Sequence, residues 1–240
     1  MLVEVRANSV QSAVNAQLGG ADVIELCSNI EIGGTTPSMA SIELVQQRCV
    51  ADISVLIRPR AGDYTYNDLE FELMKREVGY AKELGAKGVS FGLLSPTGRV
   101  DKDRIEELME IAHPLVTTFN TAFDLCNDPF DAATDLARLG INRIITSGQR
   151  KTAMSGKLLI AQLNKVFGHH LQIIATGGIT VQNVEEFVKY SKVPAIQISA
   201  LTEIKTMYTG KSKLIDLNYK ETSARNIYTI KTVLNNISNI

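Results

Sequence analysis

The chain is poor in cysteine and histidine and has no charge block, linker or low-complexity tract. Its three cysteines, Cys27, Cys49 and Cys126, are an odd number without C-x-x-C spacing, which argues against a disulfide framework and a structural zinc knuckle. No apolar run approaches the ~20 residues of a membrane-spanning helix. The net charge is −1, and both signs are spread along the chain, so nothing indicates a nucleic acid or a membrane surface as partner.

The first residues, MLVEVRANS, start directly on a strand pattern and do not resemble a signal peptide. We therefore expect a cytoplasmic protein. With nucleic acid and membrane disfavoured, we expect its partner to be a small molecule.

What the sequence does contain is a regular alternation of two patterns. Its 240 residues, 45% of them hydrophobic, are enough for one large domain spanning residues 1–240. Short apolar runs predict strands near residues 2–6, 22–26, 53–58, 88–92, 115–119, 142–146, 171–175 and 195–199. Amphipathic segments predict helices near residues 10–19, 38–49, 67–84, 102–112, 129–139, 153–167, 181–190 and 221–237.

Capping residues support several of these helices. Pro37 fits the first turn of the second helix, Asp101 fits the start of the fourth, and Gly85 and Gly140 follow helix ends. Eight successive βα units predict an α/β protein with a closed (β/α)₈ barrel, the TIM barrel. Residues 200–219, which include Thr209-Gly210-Lys211-Ser212, interrupt the alternation and are predicted to form a long loop after the last strand.

In such a barrel the functional site lies where the strands end and the helices begin. The alternation of side chains along each strand then separates residues facing the interior from those facing the helices. The interior set is polar and carries both signs of charge: Glu4, Arg6, Glu25, Cys27, Arg58, Thr118, Asn120, Gln197 and Ser199.

A polar barrel interior has two interpretations. A buried ionised group costs several kcal/mol unless it is paired and hydrogen-bonded, so a purely structural network of glutamates and arginines is one of them. The other is a ligand pocket at the mouth of the barrel, with Glu25 and Cys27 forming one wall. Both stay open at this point.

Several motifs occur together in a specific order. These are ADVIELCSNIEIGGTTPS, LIRPRAGDYTYND, TFNTAFDLCNDP, RIITSG and TGGI. Together they resemble the CutC family, whose members are called copper homeostasis proteins, and the resemblance runs from residue 3 to about residue 200. It implies a TIM barrel, a role in copper tolerance, Cu(I) as a ligand and frequent oligomerisation, so we expect a homo-oligomer.

The chain departs from the family pattern at two places. The family has His-Arg within TFHRAFD, where this chain has Asn120-Thr121, and the family's MPGGGI is here residues 174–179, IATGGI. A reaction that uses the family histidine and arginine would be lost or altered in this chain.

Acid-base chemistry at the mouth has to use residues other than histidine. His113, His169 and His170 precede strands and should lie on the opposite face. The candidates for proton transfer are therefore Glu4, Glu25, Asp63 and Asp124, or a cysteine.

The three thiols are candidates for copper as well, since soft Cu(I) prefers sulfur ligands. Cys27 is the candidate metal ligand, although a small buried apolar residue is an equal alternative. Cys126 lies on the same face but well separated around the barrel, and Cys49 ends a helix on the far face.

The mouth also offers groups that recognise anions. Arg58 and Arg60 flank a proline and are predicted to converge on a carboxylate or phosphate. Ser147-Gly148 and Gly177-Gly178 follow strands six and seven, where backbone N–H groups bind phosphate in this fold. Arg6 and Asn120 complete the predicted ligand-binding set.

Two functions follow from these observations. The resemblance implies a copper-homeostasis protein that binds Cu(I) through Cys27, with a sulfur from another subunit as an optional second ligand, and this is the first function assigned because only it has a named process. The residues themselves favour an enzyme or sensor for a small phosphorylated or carboxylated metabolite, with Glu4, Glu25 or Asp124 transferring protons.

Overall fold

The structure, a computed structural model, describes residues 1–210 and 217–238. Eight parallel strands form a closed barrel in which each strand pairs with the next along the chain and the eighth pairs with the first. The strands are β1 (Leu2–Ala7), β2 (Val23–Leu26), β3 (Asp52–Leu56), β4 (Gly88–Phe91), β5 (Val116–Phe119), β6 (Arg143–Thr146), β7 (Gln172–Thr176) and β8 (Ala195–Ile198).

A helix follows each strand along the chain and covers the outside of the barrel. The helices are α1 (Val10–Leu18), α2 (Met39–Arg48), α3 (Asp68–Glu83), α4 (Lys102–Ala112), α5 (Pro129–Arg138), α6 (Ala153–Phe167), α7 (Val184–Ser191) and α8 (Ala224–Ser238). This alternation confirms the predicted (β/α)₈ barrel.

Local capping explains where several helices begin and end. Asp101 caps α4, and Gly85 and Gly140 follow α3 and α5 with φ values of +88° and +83°, as predicted. The prediction that Pro37 lies in the first turn of α2 is wrong. Ser38 is the cap, because its hydroxyl accepts a hydrogen bond from a backbone N–H in the first turn, and Pro37 therefore lies before the helix.

Side chains alternate along the strands as the sequence predicts. Val3 and Val5 are fully buried in the apolar layer between strands and helices. Toward the carboxyl ends of β1, β2 and β8 the residues that face the barrel interior are polar, and the strand register sets them side by side. Glu4 is aligned with Gln197 of β8, and Arg6 is aligned with Glu25 of β2. A small apolar cluster of Leu2, Ile145, Ile174 and Ala195 lies nearer the other end of the barrel.

The segment after β8 differs from the predicted long loop. Its two ends form an antiparallel pair, β9 (Leu201–Ile204) and β10 (Tyr219–Thr222), so α8 begins at Ala224 and not at residue 221. Lys220 lies directly opposite Glu203, an opposite-charge cross-strand pair that favours this pairing. Thr209 and Gly210 follow β9 outside any strand or helix, whereas Lys211 and Ser212 lie outside the described residues.

None of the helices within residues 1–210 and 217–238 is long and apolar enough to cross a membrane.

Candidate functional site

A cavity of about 810 Å³ opens at the carboxyl ends of the strands, where this fold places its functional sites. Of the residues predicted for the site, the following line it: Arg6, Asp124, Ser147, Gly177 and Gly178. Gln197 and Ser199 of the predicted interior set line it as well, and the other predicted site residues do not.

Arg6 lies in the wall of the cavity and is oriented from below by Glu25. The Nε–H of Arg6 donates to Glu25 Oε2 over 2.5 Å, and the side chains are 12% and 0% exposed. Among the described residues, the two terminal amino groups of Arg6 have no hydrogen-bond acceptor. One edge of the guanidinium is therefore used by the protein, and the two terminal nitrogens are available to the cavity.

A second carboxylate, Glu4, lies beside this pair and is joined to it by Gln197. The amide nitrogen of Gln197 donates to Glu4 Oε1 over 2.7 Å and to Glu25 Oε2 over 3.0 Å. Arg143 Nη1 lies 3.4 Å from Glu4 Oε2. The buried Glu25 Oε1 has no partner among the described residues. Two carboxylates and two guanidiniums thus share the barrel interior.

Glu4 has an unusual affinity for protons. Burial and, to a smaller extent, the neighbouring Glu25 carboxylate raise the pKa of Glu4 from 4.5 to about 7, against the hydrogen bond from Gln197 and the charges of Arg143 and Arg6. Glu4 therefore exchanges a proton close to neutral pH, although Gln197 and Arg6 line the cavity and Glu4 does not.

Arg58 has its donors directed into the protein. Its Nη1 donates to the carbonyl oxygens of Ile32 and Gly34 at 3.0 and 2.7 Å, and its Nη2 donates to that of Gly62 at 2.7 Å. The guanidinium lies 4.9 Å from the centre of the Tyr64 ring. Arg58 thereby fastens the loop after β2 to the loop after β3, and it does not line the cavity.

Arg60 is likewise occupied. Its Nε donates to Glu70 over 2.5 Å, its Nη1 to Asp63 over 3.0 Å, and its guanidinium lies 5.2 Å from the centre of the Tyr66 ring. The structure therefore does not bring the Arg58 and Arg60 guanidiniums together at the cavity. The first is used by backbone carbonyls, and the second by two carboxylates.

Asp124 lines the cavity, but both of its oxygens are occupied. Oδ1 accepts from the Thr146 hydroxyl and the Gln149 N–H, and Oδ2 accepts from the Ser147 N–H and hydroxyl. The Gly148 N–H donates to the Thr146 hydroxyl over 2.9 Å. The turn after β6 therefore satisfies its own donors and has no Ser147 or Gly148 N–H left for a ligand.

The turn after β7 differs in this respect. Gly177 and Gly178 both have positive φ values, +95° and +68°. Within the described part of the chain, neither N–H has a hydrogen-bond acceptor. The Gly177 carbonyl accepts from Ala153 N over 2.8 Å, which fixes the turn against the start of α6. Both glycines line the cavity with free donors.

Cys27 and Asn120 are buried outside the cavity wall. Cys27 is 1% exposed, and burial raises the pKa of its thiol to about 12, which keeps it protonated at neutral pH. Asn120 accepts a hydrogen bond from Ala122 N and caps a short turn. All three cysteines are free, and the described residues contain no group of three His, Cys, Asp or Glu side chains placed to hold a metal ion.

Most of the cavity wall escaped the sequence-based prediction, and Lys151 and Tyr64 are the two such residues with polar groups of most interest. Lys151 lines the cavity, is exposed and forms no ion pair within the described residues. Tyr64 lines it as well, and its hydroxyl lies 3.2 Å from the Thr121 hydroxyl. Lys151 follows β6 by five positions, so its place in a loop at the carboxyl ends of the strands was the available signal.

Known proteins match this chain over most of its length. A human copper homeostasis protein cutC homolog is 43% identical over 199 residues, which is 83% of this chain and 73% of the relative. A CutC family protein of Bacteroides thetaiotaomicron is 36% identical over 241 residues, 99% of this chain and 97% of the relative.

A solved structure from Streptococcus agalactiae, described as a copper homeostasis protein CutC, superposes with a TM-score of 0.79 at 27% identity. The match covers 83% of this chain and 98% of the Streptococcus agalactiae chain. The model of the CutC family matches residues 1–202. The chain therefore belongs to the CutC family.

Proposed function

We propose that this chain binds a small anionic metabolite in the cavity at the mouth of the barrel and that Arg6 is the anchor for the anion. One observation carries the proposal. Arg6 is held through Nε by the buried Glu25, while its two terminal nitrogens have no acceptor among the described residues and the residue lines the cavity.

The orientation of Arg6 suits a carboxylate or a phosphate. A guanidinium presents its donors in a planar fork that matches two oxygens of either group, and such bidentate contacts are among the stronger hydrogen bonds. Because Glu25 already holds the Nε edge, the side chain does not have to be ordered on binding, which lowers the entropic cost. The ion pair thus prepares Arg6 for a ligand.

The cavity volume supports a ligand of metabolite size. At about 810 Å³ the cavity falls within the range of roughly 300 to 1,000 Å³ that is usual for small-molecule sites. Its wall combines polar donors with apolar side chains such as Ile198 and Ile230. This composition favours an organic anion over an inorganic ion alone.

Copper binding is the competing proposal, and it comes from the names of the relatives. Cu(I) binding through Cys27 would need additional soft ligands, because Cu(I) prefers two or three sulfurs. The thiol would also have to lose a proton whose pKa burial raises to about 12. Both considerations favour the anion over the metal as the ligand of a single subunit.

Proton transfer by Glu4, Glu25 or Asp124 would make the protein an enzyme rather than a sensor. Glu4 is the favoured candidate, since its raised pKa of about 7 suits a group that gains and loses protons at neutral pH. Glu4 does not line the cavity, so proton transfer to a ligand would require the side chains of Gln197 and Arg6 to move aside.

Thermal unfolding with a panel of phosphate and carboxylate compounds tests the proposal, since a ligand that binds the folded state raises Tm. The wild type, Arg6→Lys and Cys27→Ser are compared in parallel with a Cu(I) competition titration. Arg6→Lys keeps a positive charge opposite Glu25 but loses the fork. We expect stabilisation of the wild type and of Cys27→Ser, and a weaker response of Arg6→Lys.

Two further parts of the proposal concern the setting of the protein. We propose a cytoplasmic location, which cell fractionation tests, and a homo-oligomer, which light scattering at micromolar concentration tests. A monomer mass would remove the option of a copper site completed by a sulfur from a second subunit.

A further inference from the structure

We infer that the ligand of this cavity carries two anionic groups, a carboxylate bound by Arg6 and a phosphate bound by the Gly177-Gly178 turn with Lys151. The inference rests on the proposed function and extends it to the class of ligand. Its basis is that one cavity contains two separate sets of unused donors of different chemistry.

The turn set consists of backbone donors and one exposed cation. Gly177 and Gly178 adopt successive positive φ values of +95° and +68°, and their N–H groups have no acceptor within residues 1–210 and 217–238. Successive N–H groups in such turns form a concave site for an anion. Lys151 lines the same cavity and forms no ion pair among the described residues.

The neighbouring turn shows that the free donors of Gly177 and Gly178 are not a general feature of these loops. After β6, the N–H groups of Ser147, Gly148 and Gln149 are all bonded to Asp124 or Thr146. The protein thus satisfies one turn internally with the Asp124 carboxylate and leaves the N–H groups of the next turn without an acceptor among the described residues. A ligand phosphate would take the role at the second turn that Asp124 has at the first.

The two sets begin from different strands of the barrel. Thr176, Gln197 and Glu4 are aligned across β7, β8 and β1. Gly177 lies one residue beyond the first of them, and Arg6 two residues beyond the last. The backbone positions of Gly177 and Arg6 therefore belong to strands separated by two inter-strand spacings, or about 10 Å. A bridging ligand needs two anionic groups on a short carbon skeleton.

The chemistry of each set decides which anionic group it takes. The two terminal nitrogens of Arg6 form a flat fork that fits the two oxygens of a carboxylate. Backbone N–H groups and a lysine suit a phosphate, which has three terminal oxygens and more charge. The ligand class is thus a phosphorylated carboxylic acid of small size.

Calorimetric titration with three related probes tests this inference. The probes are 3-phosphoglycerate, which carries both groups, glycerol 3-phosphate, which carries only the phosphate, and glycerate, which carries only the carboxylate. The variants are Arg6→Lys and Lys151→Gln, and Lys165→Gln removes an exposed charge from the far end of α6 as the matched control.

If the two donor sets bind different groups, each variant should lower the affinity for a different pair of probes. Arg6→Lys should weaken glycerate and 3-phosphoglycerate by about tenfold and leave glycerol 3-phosphate nearly unchanged. Lys151→Gln should weaken glycerol 3-phosphate and 3-phosphoglycerate by a factor of about three to ten and spare glycerate. Lys165→Gln should change none of them, and 3-phosphoglycerate should bind the wild type most tightly.

The outcomes separate this inference from the proposed function. Binding of all three probes with equal affinity, or an equal loss for all three in Arg6→Lys with no effect of Lys151→Gln, overturns the two-group ligand but keeps Arg6 as an anion anchor. No binding of any probe to the folded wild type at millimolar concentration overturns the two-group ligand, and the wider panel of anions then decides the proposed function separately.

Discussion

Arg6 and Glu25 form an ion pair at the floor of the cavity, with Nε 2.5 Å from Oε2 and the carboxylate fully buried. Glu25 Oε1 has no partner among the described residues, so one oxygen of this carboxylate is dedicated to Arg6 and Gln197, and the other is unsatisfied. A chain selected only for stability would satisfy both oxygens or replace the pair, since apolar residues of similar volume often do as well or better. The pair is therefore best explained by the orientation that it gives to Arg6.

Removing the charge of Glu25 should be costly for stability. Glu25→Gln leaves the guanidinium of Arg6, which is 12% exposed, without its anionic partner. We expect the free energy of unfolding to fall by about 3 kcal/mol, because a buried pair that loses one partner leaves an uncompensated charge. Urea unfolding measures this, with Glu106→Gln on the exposed face of α4 as control. A change of the same size in both variants would contradict the role of the pair.

The pKa of Glu4 predicts how stability depends on pH. Because the folded-state pKa of about 7 lies above the ordinary value of 4.5, the folded protein holds this proton more tightly than the unfolded chain does. The stability from this group is complete below about pH 4.5 and is lost as the pH rises through about 7. The shift corresponds to about 3 kcal/mol.

Glu4→Gln isolates this contribution, since glutamine resembles the protonated acid. We expect the variant to match the wild type near pH 5 and to be more stable than the wild type at pH 8. Urea unfolding at both pH values measures the difference. A stability gap that does not change between pH 5 and pH 8 would show that Glu4 is not the titrating group.

Arg58 should contribute to stability by holding the loops after β2 and β3 together, and it should not contribute to anion binding. Arg58→Ala removes three hydrogen bonds to the carbonyl oxygens of Ile32, Gly34 and Gly62. Charge-assisted bonds contribute about 1.5 to 3 kcal/mol each, so we expect a loss of at least about 3 kcal/mol in the free energy of unfolding. Anion affinity of the folded fraction should change less than in Arg6→Lys. A larger loss of affinity than in Arg6→Lys would restore Arg58 as a ligand-binding residue.

The variant Cys27→Ser distinguishes anion binding from copper binding. A hydroxyl is a hard and poor ligand for Cu(I), so a copper site on Cys27 would be lost in this variant, whereas anion binding in the cavity should be retained. Competition with a Cu(I) chelator and thermal unfolding with the anion panel measure the two properties on the same protein. Copper retained at full affinity would remove Cys27 as an essential ligand.

The sequence predicts the barrel well because each strand carries its own alternation of side chains. Glu4 and Arg6 face inward and Val3 and Val5 face the helices, since a period of two fixes each side chain once the strand is known. The segment from Leu201 to Thr222 was not predictable in this way. Its antiparallel pairing depends on contacts between residues about twenty positions apart, and no local sequence pattern predicts these contacts.

The direction of the arginine donors near the site could not be predicted from the sequence either. Arg58 and Arg60 flank Pro59, which predicts two guanidiniums near the mouth, but their direction depends on which acceptors the folded loops offer. The carbonyl oxygens of Ile32, Gly34 and Gly62 accept hydrogen bonds from Arg58. Two carboxylates form ion pairs with Arg60. Sequence alone identifies charged residues near a site, and only the folded loops decide which of them are left for a ligand.

The most direct test of Arg6 as the anion anchor is calorimetric titration of the wild type, Arg6→Lys and Arg58→Ala with the carboxylate-bearing anion that most stabilises the wild type in the thermal panel. Circular dichroism first establishes that all three proteins are folded. We expect Arg6→Lys to lose about tenfold or more in affinity for this anion and Arg58→Ala to stay close to the wild type. Wild-type affinity in folded Arg6→Lys would contradict the claim that Arg6 anchors the anion.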